Sequence, residues 1–102
     1  MIHVIATIEL VEGKRDLFLA EFHELVPLVK AEKGCLEYGP AIDMASGIPV
    51  QVPPRPHVAT IVEKWHTLAH LKEHLQAAHM LAYRDRVKDL VVKVSLQVLE
   101  PA

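Results

Sequence analysis

The segment from Val58 to Met80, VATIVEKWHTLAHLKEHLQAAHM, decides how this chain is read. Its opening residues alternate, with Ala59, Ile61, Glu63 and Trp65 on one side of an extended chain and Val58, Thr60, Val62 and Lys64 on the other. That is the period of a strand. Past Thr67 the rhythm changes: Leu68, Leu71, Leu75 and Ala78 recur at spacings of three and four, and Met80, Tyr83, Val87 and Leu90 carry it on. Such spacing lines one face of a helix. The segment therefore predicts a strand running into two helices, with a bend near Ala77 to His79. At the junction stand an acid, the only tryptophan and four histidines.

Working outward, Ile2, Val4, Ala6, Ile8 and Leu10 alternate with His3, Ile5, Thr7 and Glu9, a first strand with one apolar face and one mixed face. Gly13 ends it. Phe18, Phe22, Leu25 and Val29 then predict a helix from about Lys14 to Glu32, with a kink or break at Pro27, where a backbone hydrogen bond is lost. After Gly34, residues Cys35 to Met44 read as a second strand, and Gly39-Pro40 within it points to a bulge or a sheet edge. Ala45 to His57 holds four prolines and Gly47 and reads as a loop. Val92, Val94, Leu96 and Val98 alternate through a final strand. The order βαββααβ predicts an α+β, ferredoxin-like split βαβ fold: a four-stranded antiparallel sheet with helices on one face, one domain over residues 1–102. The free sheet face suggests a homodimer.

Charge narrows the function. The formal net charge is -2 and no block of Lys or Arg occurs, so the footprint of a nucleic-acid binder or a polybasic membrane anchor is missing. The first and third strands carry no stacked aromatics of the kind an RNA-recognition sheet uses. No glycine-rich phosphate loop is present for a nucleotide or flavin. Cys35 is the only cysteine, has no evident base beside it and reads as an inert buried thiol. The N-terminus begins directly as a strand, with no signal-peptide pattern, and a cytoplasmic location is expected.

Two chemistries compete at the junction. His70-Leu71-Lys72-Glu73-His74 matches the H-x-x-E-H pattern of a zinc site, and His66, His70 and His74 are each about one helical turn apart, although a third ligand from elsewhere would be needed. The other reading is a metal-free organic pocket. There His74 and His79 are the candidate acid–base groups, balanced by Glu63 or Asp43, because an imidazole is suited to taking a proton from a phenol-like hydroxyl. Trp65 would wall such a pocket and donate its N–H, and Tyr38 and Tyr83 are either pocket or core.

The chain resembles the antibiotic biosynthesis monooxygenase (ABM) family, and within it the enterobacterial quinol-oxidising branch. The resemblance runs the whole length. It is carried by Ile5-Ala6, Gly13, Glu32-Lys33-Gly34-Cys35, Tyr38, Pro40, Asp43 and the loop near Gly47, and above all by Glu63-x-Trp65, Ala69-His70-Leu71, His74-Leu75-Gln76 and His79-Met80. It implies a dimeric ferredoxin-like barrel with a pocket in each subunit, and oxidation of a quinol or dihydroxy-aromatic substrate by O2 without metal, flavin or other cofactor. By position it implies His74 as proton acceptor, assisted by Glu63 or His79, with Trp65 at the pocket. Haem-degrading relatives differ at the places held here by Ala6, His74 and Arg84. An isomerase of a small phosphorylated signal, or a non-catalytic small-molecule-binding stress protein, is the alternative function.

Overall fold

The computed structural model describes residues 1–102. Its elements are β1 (Ile2–Leu10), α1 (Arg15–Lys30), β2 (Cys35–Ala41), β3 (Val58–Trp65), α2 (Leu68–Leu75), α3 (Ala78–Val87) and β4 (Val91–Leu99). The strands form one antiparallel sheet in the order β2-β3-β1-β4, the α+β ferredoxin-like arrangement. The bend expected near Ala77 to His79 is a true break, α2 ending at Leu75 and α3 beginning at Ala78.

Register explains where the core lies. Val4 faces Glu63 and Val98 across the sheet, Ala6 faces Ile61 and Leu96, and Ile8 faces Ala59 and Val94. Directly opposed residues project to the same side, so one face is apolar except at Glu63. Onto it α1 lays Phe18, Phe22, Leu25 and Val29, and α3 lays Met80, Tyr83 and Val87, all buried. Each large side chain so removed from water contributes roughly 1.5–3 kcal/mol.

The helical cover stops short of the last strand. Val94, Leu96 and Val98 share the apolar face, yet they are 55%, 48% and 49% exposed. Helices thus cover β2, β3 and β1 but leave an opening between α3 and β4.

Three sequence expectations need correction. First, α1 is continuous through Pro27 and ends at Lys30 rather than near Glu32. Leu25 and Val29, both fully buried, anchor the helix on either side of the proline, and the Pro27 carbonyl still accepts from the Ala31 N–H. Second, β2 stops at Ala41, because Asp43 is drawn away to Arg55: the carboxylate accepts from the Arg55 backbone N–H at 2.9 Å and from its Nε at 2.8 Å and Nη2 at 3.0 Å. That clasp closes the proline-rich loop and holds the Asp43 carboxyl down to about 2. Third, of the bulge or sheet edge expected at Gly39-Pro40, the edge is found and the bulge is not: the register irregularity lies between Cys35 and Glu37. Pro40 is tolerated because β2 is an edge strand with one neighbour. No helix is long and apolar enough to cross a membrane.

Candidate active site

The junction quoted at the outset places its side chains by simple rules. Thr67 caps α2, its Oγ1 accepting from the His70 backbone N–H at 3.2 Å. One face of α2 then lies over the turn from α1 into β2. Gly34 is in that turn at φ +83°, and a Cβ there would stand 2.3 Å from His70 Cγ, so glycine is required both for the backbone angle and for the imidazole lying against it. One turn further along α2, His74 reaches over Glu32 of the same connection.

His74 is 1% exposed and is the centre of a polar cluster inside an aromatic shell. Its Nδ1 lies 2.8 Å from Glu32 Oε2, and the same oxygen is 2.7 Å from His79 Nε2. A carboxylate accepts, so His74 carries its proton on Nδ1 and leaves Nε2 with a free lone pair. On that side stands Glu63, its Oε1 4.0 Å from His74 Nε2 and 2.9 Å from Trp65 Nε1, which donates to it. Trp65 stacks on His74 with ring centroids 4.6 Å apart, and Tyr38 meets it edge-on at 5.3 Å.

Burial sets the protonation states. Removed from water, the Glu63 carboxyl is pushed up to about 7 despite the Trp65 hydrogen bond, and the nearby Glu32 charge adds to the rise. For His74 burial outweighs the attraction of Glu32 and moves the imidazole below its ordinary value, so it is neutral near pH 7. Tyr38 and Tyr83 are both driven up by burial and remain phenols.

Glu63 and His74 open onto a cavity of about 380 Å³ in the gap between α3 and β4. Its walls are largely apolar: Ala6, Ile8 and Ile61 from the sheet, Phe22 from α1, and Val94 and Leu96 from β4, with both tyrosines alongside. Arg84 of α3 and Lys88 at its C-terminal end also line it. The gap of 4.0 Å between Glu63 and His74 Nε2 is too long for a direct hydrogen bond and leaves Nε2 free to accept from a substrate hydroxyl.

The sequence-derived candidates separate at this point. Glu63 and His74 meet in the cavity. Trp65 is not a wall of it: fully buried, it stands behind Glu63 with its N–H already engaged. His79, about one quarter exposed, reaches His74 only through Glu32. Asp43 belongs to the loop clasp and not to this cluster. The zinc pattern dissolves, since His70 Nδ1 is 2.8 Å from Thr67 Oγ1 and His66 stacks loosely on His70 at 6.0 Å. The side chains able to share a metal are instead Glu32, His74 and His79, whose ligand atoms lie within 4.8 Å of one another. Glu32 was missed as a site residue. It sits in the quoted Glu32-Lys33-Gly34-Cys35 stretch, but nothing local joins it to a histidine 42 residues away.

Residues 1–86 match the sequence profile of the family described as antibiotic biosynthesis monooxygenase. The chain belongs to the antibiotic biosynthesis monooxygenase family. Among curated relatives it is 38% identical over 103 aligned residues to the "Probable quinol monooxygenase YgiN" of Escherichia coli K12, covering 99% of this chain and 98% of the relative. A solved structure of PA3566 from Pseudomonas aeruginosa superposes with a TM-score of 0.82 at 26% identity, over 99% of this chain and 93% of that one. Rv0793 from Mycobacterium tuberculosis shares the fold at a TM-score of 0.80 and 24% identity, over 99% and 94% of the two chains. Family membership supports a monooxygenase-type function acting on a small molecule.

Proposed function

We propose that the protein oxidises a quinol or related dihydroxy-aromatic compound to a quinone with O2, using no cofactor. The observation that carries this reading is the free Nε2 of a buried, neutral His74, 4.0 Å from Glu63, on a largely apolar cavity of about 380 Å³. The likeness to a relative bearing the name of a quinol monooxygenase supports the substrate class.

In this reading a ring hydroxyl lies between Glu63 and His74, and His74 Nε2 takes its proton. Glu32 on Nδ1 and ionised Glu63 near Nε2 stabilise the imidazolium that forms. The resulting phenolate is electron-rich enough to reduce O2 directly. Hydroquinone with one O2 gives a hydroxyquinone and one water, so one oxygen atom stays on the ring, the other leaves as water, and the substrate itself supplies every electron. Tyr38 and Tyr83, kept as phenols, are donors for the charge that develops on oxygen. His79 takes part through Glu32, and Trp65 by holding Glu63.

The whole chain acts as one unit in this scheme, and as a homodimer, the second copy covering apolar surface such as Val62, 40% exposed, on the helix-free sheet face. Light scattering should give about twice 11.4 kDa; a stable monomer would refute the dimer. For the reaction, O2 uptake above the spontaneous oxidation of a soluble hydroquinone is expected. Tight binding of the hydroquinone without O2 uptake would instead mark a binding protein.

A further inference from the structure

The cavity is asymmetric along its length, and the asymmetry bears on the kind of ring it takes. Glu63 and His74 stand at the level of Val4, whereas Ile8 and Val94 line the cavity four residues further along β1. At about 3.3 Å per strand residue the floor runs for about 13 Å. Along the roof, α3 travels the same way, from Met80 beside the histidine cluster to Lys88 at the β4 end, with Arg84 halfway. Apart from the tyrosines, the wall between the two ends is apolar.

Arg84 and Lys88 are four residues apart and so share a helix face. Two nearby cations already have acidic partners: Arg86 pairs with Glu21 at 3.1 Å, and Lys88 makes an exposed contact with Asp85 at 3.3 Å. Arg84 pairs with no carboxylate, and the one acid that lines the cavity, Glu63, is at the other end. Arg84 is exposed where it lines the cavity, and an unpaired guanidinium beside apolar side chains is a ready partner for a planar anion, which it can bind through two parallel hydrogen bonds.

We infer that the preferred substrate is a dihydroxy-aromatic acid, seated with a ring hydroxyl between Glu63 and His74 and its carboxylate on Arg84, with Lys88 adding positive charge at the mouth. This rests on the quinol reading for the reaction, but the anion site can be tested apart from it. A neutral quinol would fill the apolar section and leave Arg84 unanswered.

The test compares hydroquinone with 2,5-dihydroxybenzoate. Dissociation constants are measured without oxygen by calorimetry, and O2 uptake is followed separately, for the wild type, Arg84→Gln, Arg84→Lys and the control Arg86→Gln. The acid is expected to bind the more tightly. Arg84→Gln should shift the ratio of the two constants against the acid by about tenfold, the scale of one charge-assisted hydrogen bond, with partial recovery in Arg84→Lys and the wild-type ratio in Arg86→Gln. Raising the salt concentration should weaken the acid more than hydroquinone. Equal affinity for the two compounds, or a ratio that Arg84→Gln does not move, would overturn the inference even if O2 is consumed. An Arg84-dependent ratio without O2 uptake would uphold the anion site and refute the reaction.

Discussion

His70 and His74 stand one turn apart on the same face of α2, over the same turn between α1 and β2, and the structure gives them opposite chemistry. His70 lies on Gly34 and receives the Thr67 hydroxyl at Nδ1, since that hydroxyl oxygen already accepts from the backbone and has its proton left to give. That direction leaves the His70 proton on Nε2, the tautomer opposite to that of His74. His74 is buried under Trp65 and Tyr38, donates Nδ1–H to Glu32 and turns a bare Nε2 toward the cavity. Identical side chains four residues apart become a local structural contact and, in the proposed reaction, a proton acceptor, because one is buried and the other is not.

The largest test of that contrast is to remove each imidazole in turn. His74→Ala should lower the turnover number by roughly 10²-fold or more, the usual scale for losing a general base. His70→Ala should stay within about threefold of wild type, as expected for a side chain whose bonds are local and exposed. Steady-state O2 uptake by folded variants reads both, and the reverse order would exchange the two roles.

Next comes Glu32, the group that fixes the tautomer. Glu32→Gln keeps the shape but removes the charge that stabilises the His74 imidazolium, and the turnover number should fall about tenfold, equivalent to roughly one pKa unit of interaction. Binding of the neutral substrate should change less, so separate kcat and KM values are the informative measurement. A change confined to KM would mean that Glu32 only shapes the site.

Then pH. With Glu63 titrating at about 7, its charge supports the imidazolium only above that value, so the rate should rise as pH increases through about 7, and Glu63→Gln should flatten this limb. Stability moves the other way. A carboxyl raised from 4.5 binds its proton more tightly when folded, so its contribution is complete below about 4.5 and is lost as pH rises through about 7. Thermal denaturation of Glu63→Gln against wild type should thus show the variant gaining ground at pH 8 relative to pH 4.5; a constant difference would contradict the buried titration.

The smallest effect belongs to Trp65. Trp65→Phe keeps a ring against His74 and removes the N–H that holds Glu63 down, so the pH limb should move upward and the rate at pH 7 fall by a few-fold, the worth of one hydrogen bond. An unmoved limb would mean that the indole serves packing alone.

Much of this architecture is legible before any coordinates. Period-two alternation finds β1, β3 and β4, and the three-and-four spacing finds all the helices, because both follow from the backbone repeat and from which face must be buried. Glu63 and Trp65 on one face of β3 follow from the same rule. What sequence could not supply is contact across the chain. Pro27 looks like a break until Leu25 and Val29 are seen to pin the helix on both sides, and Trp65 reads as a pocket wall until its N–H is found on Glu63. Glu32 is conspicuous only as part of a motif, since its meaning depends on α2 folding back over the turn that carries it.

The account rests on the state of one nitrogen, and 15N NMR of the histidine side chains in the ligand-free protein near pH 7 observes it directly. The predicted result is His74 neutral with its proton on Nδ1 and Nε2 unprotonated, in contrast to His70, and loss of that preference in Glu32→Ala, which removes the acceptor from Nδ1. A protonated Nε2 on His74 at neutral pH, as imidazolium or as the other tautomer, would leave His74 unable to accept the substrate proton and would contradict the proposed chemistry.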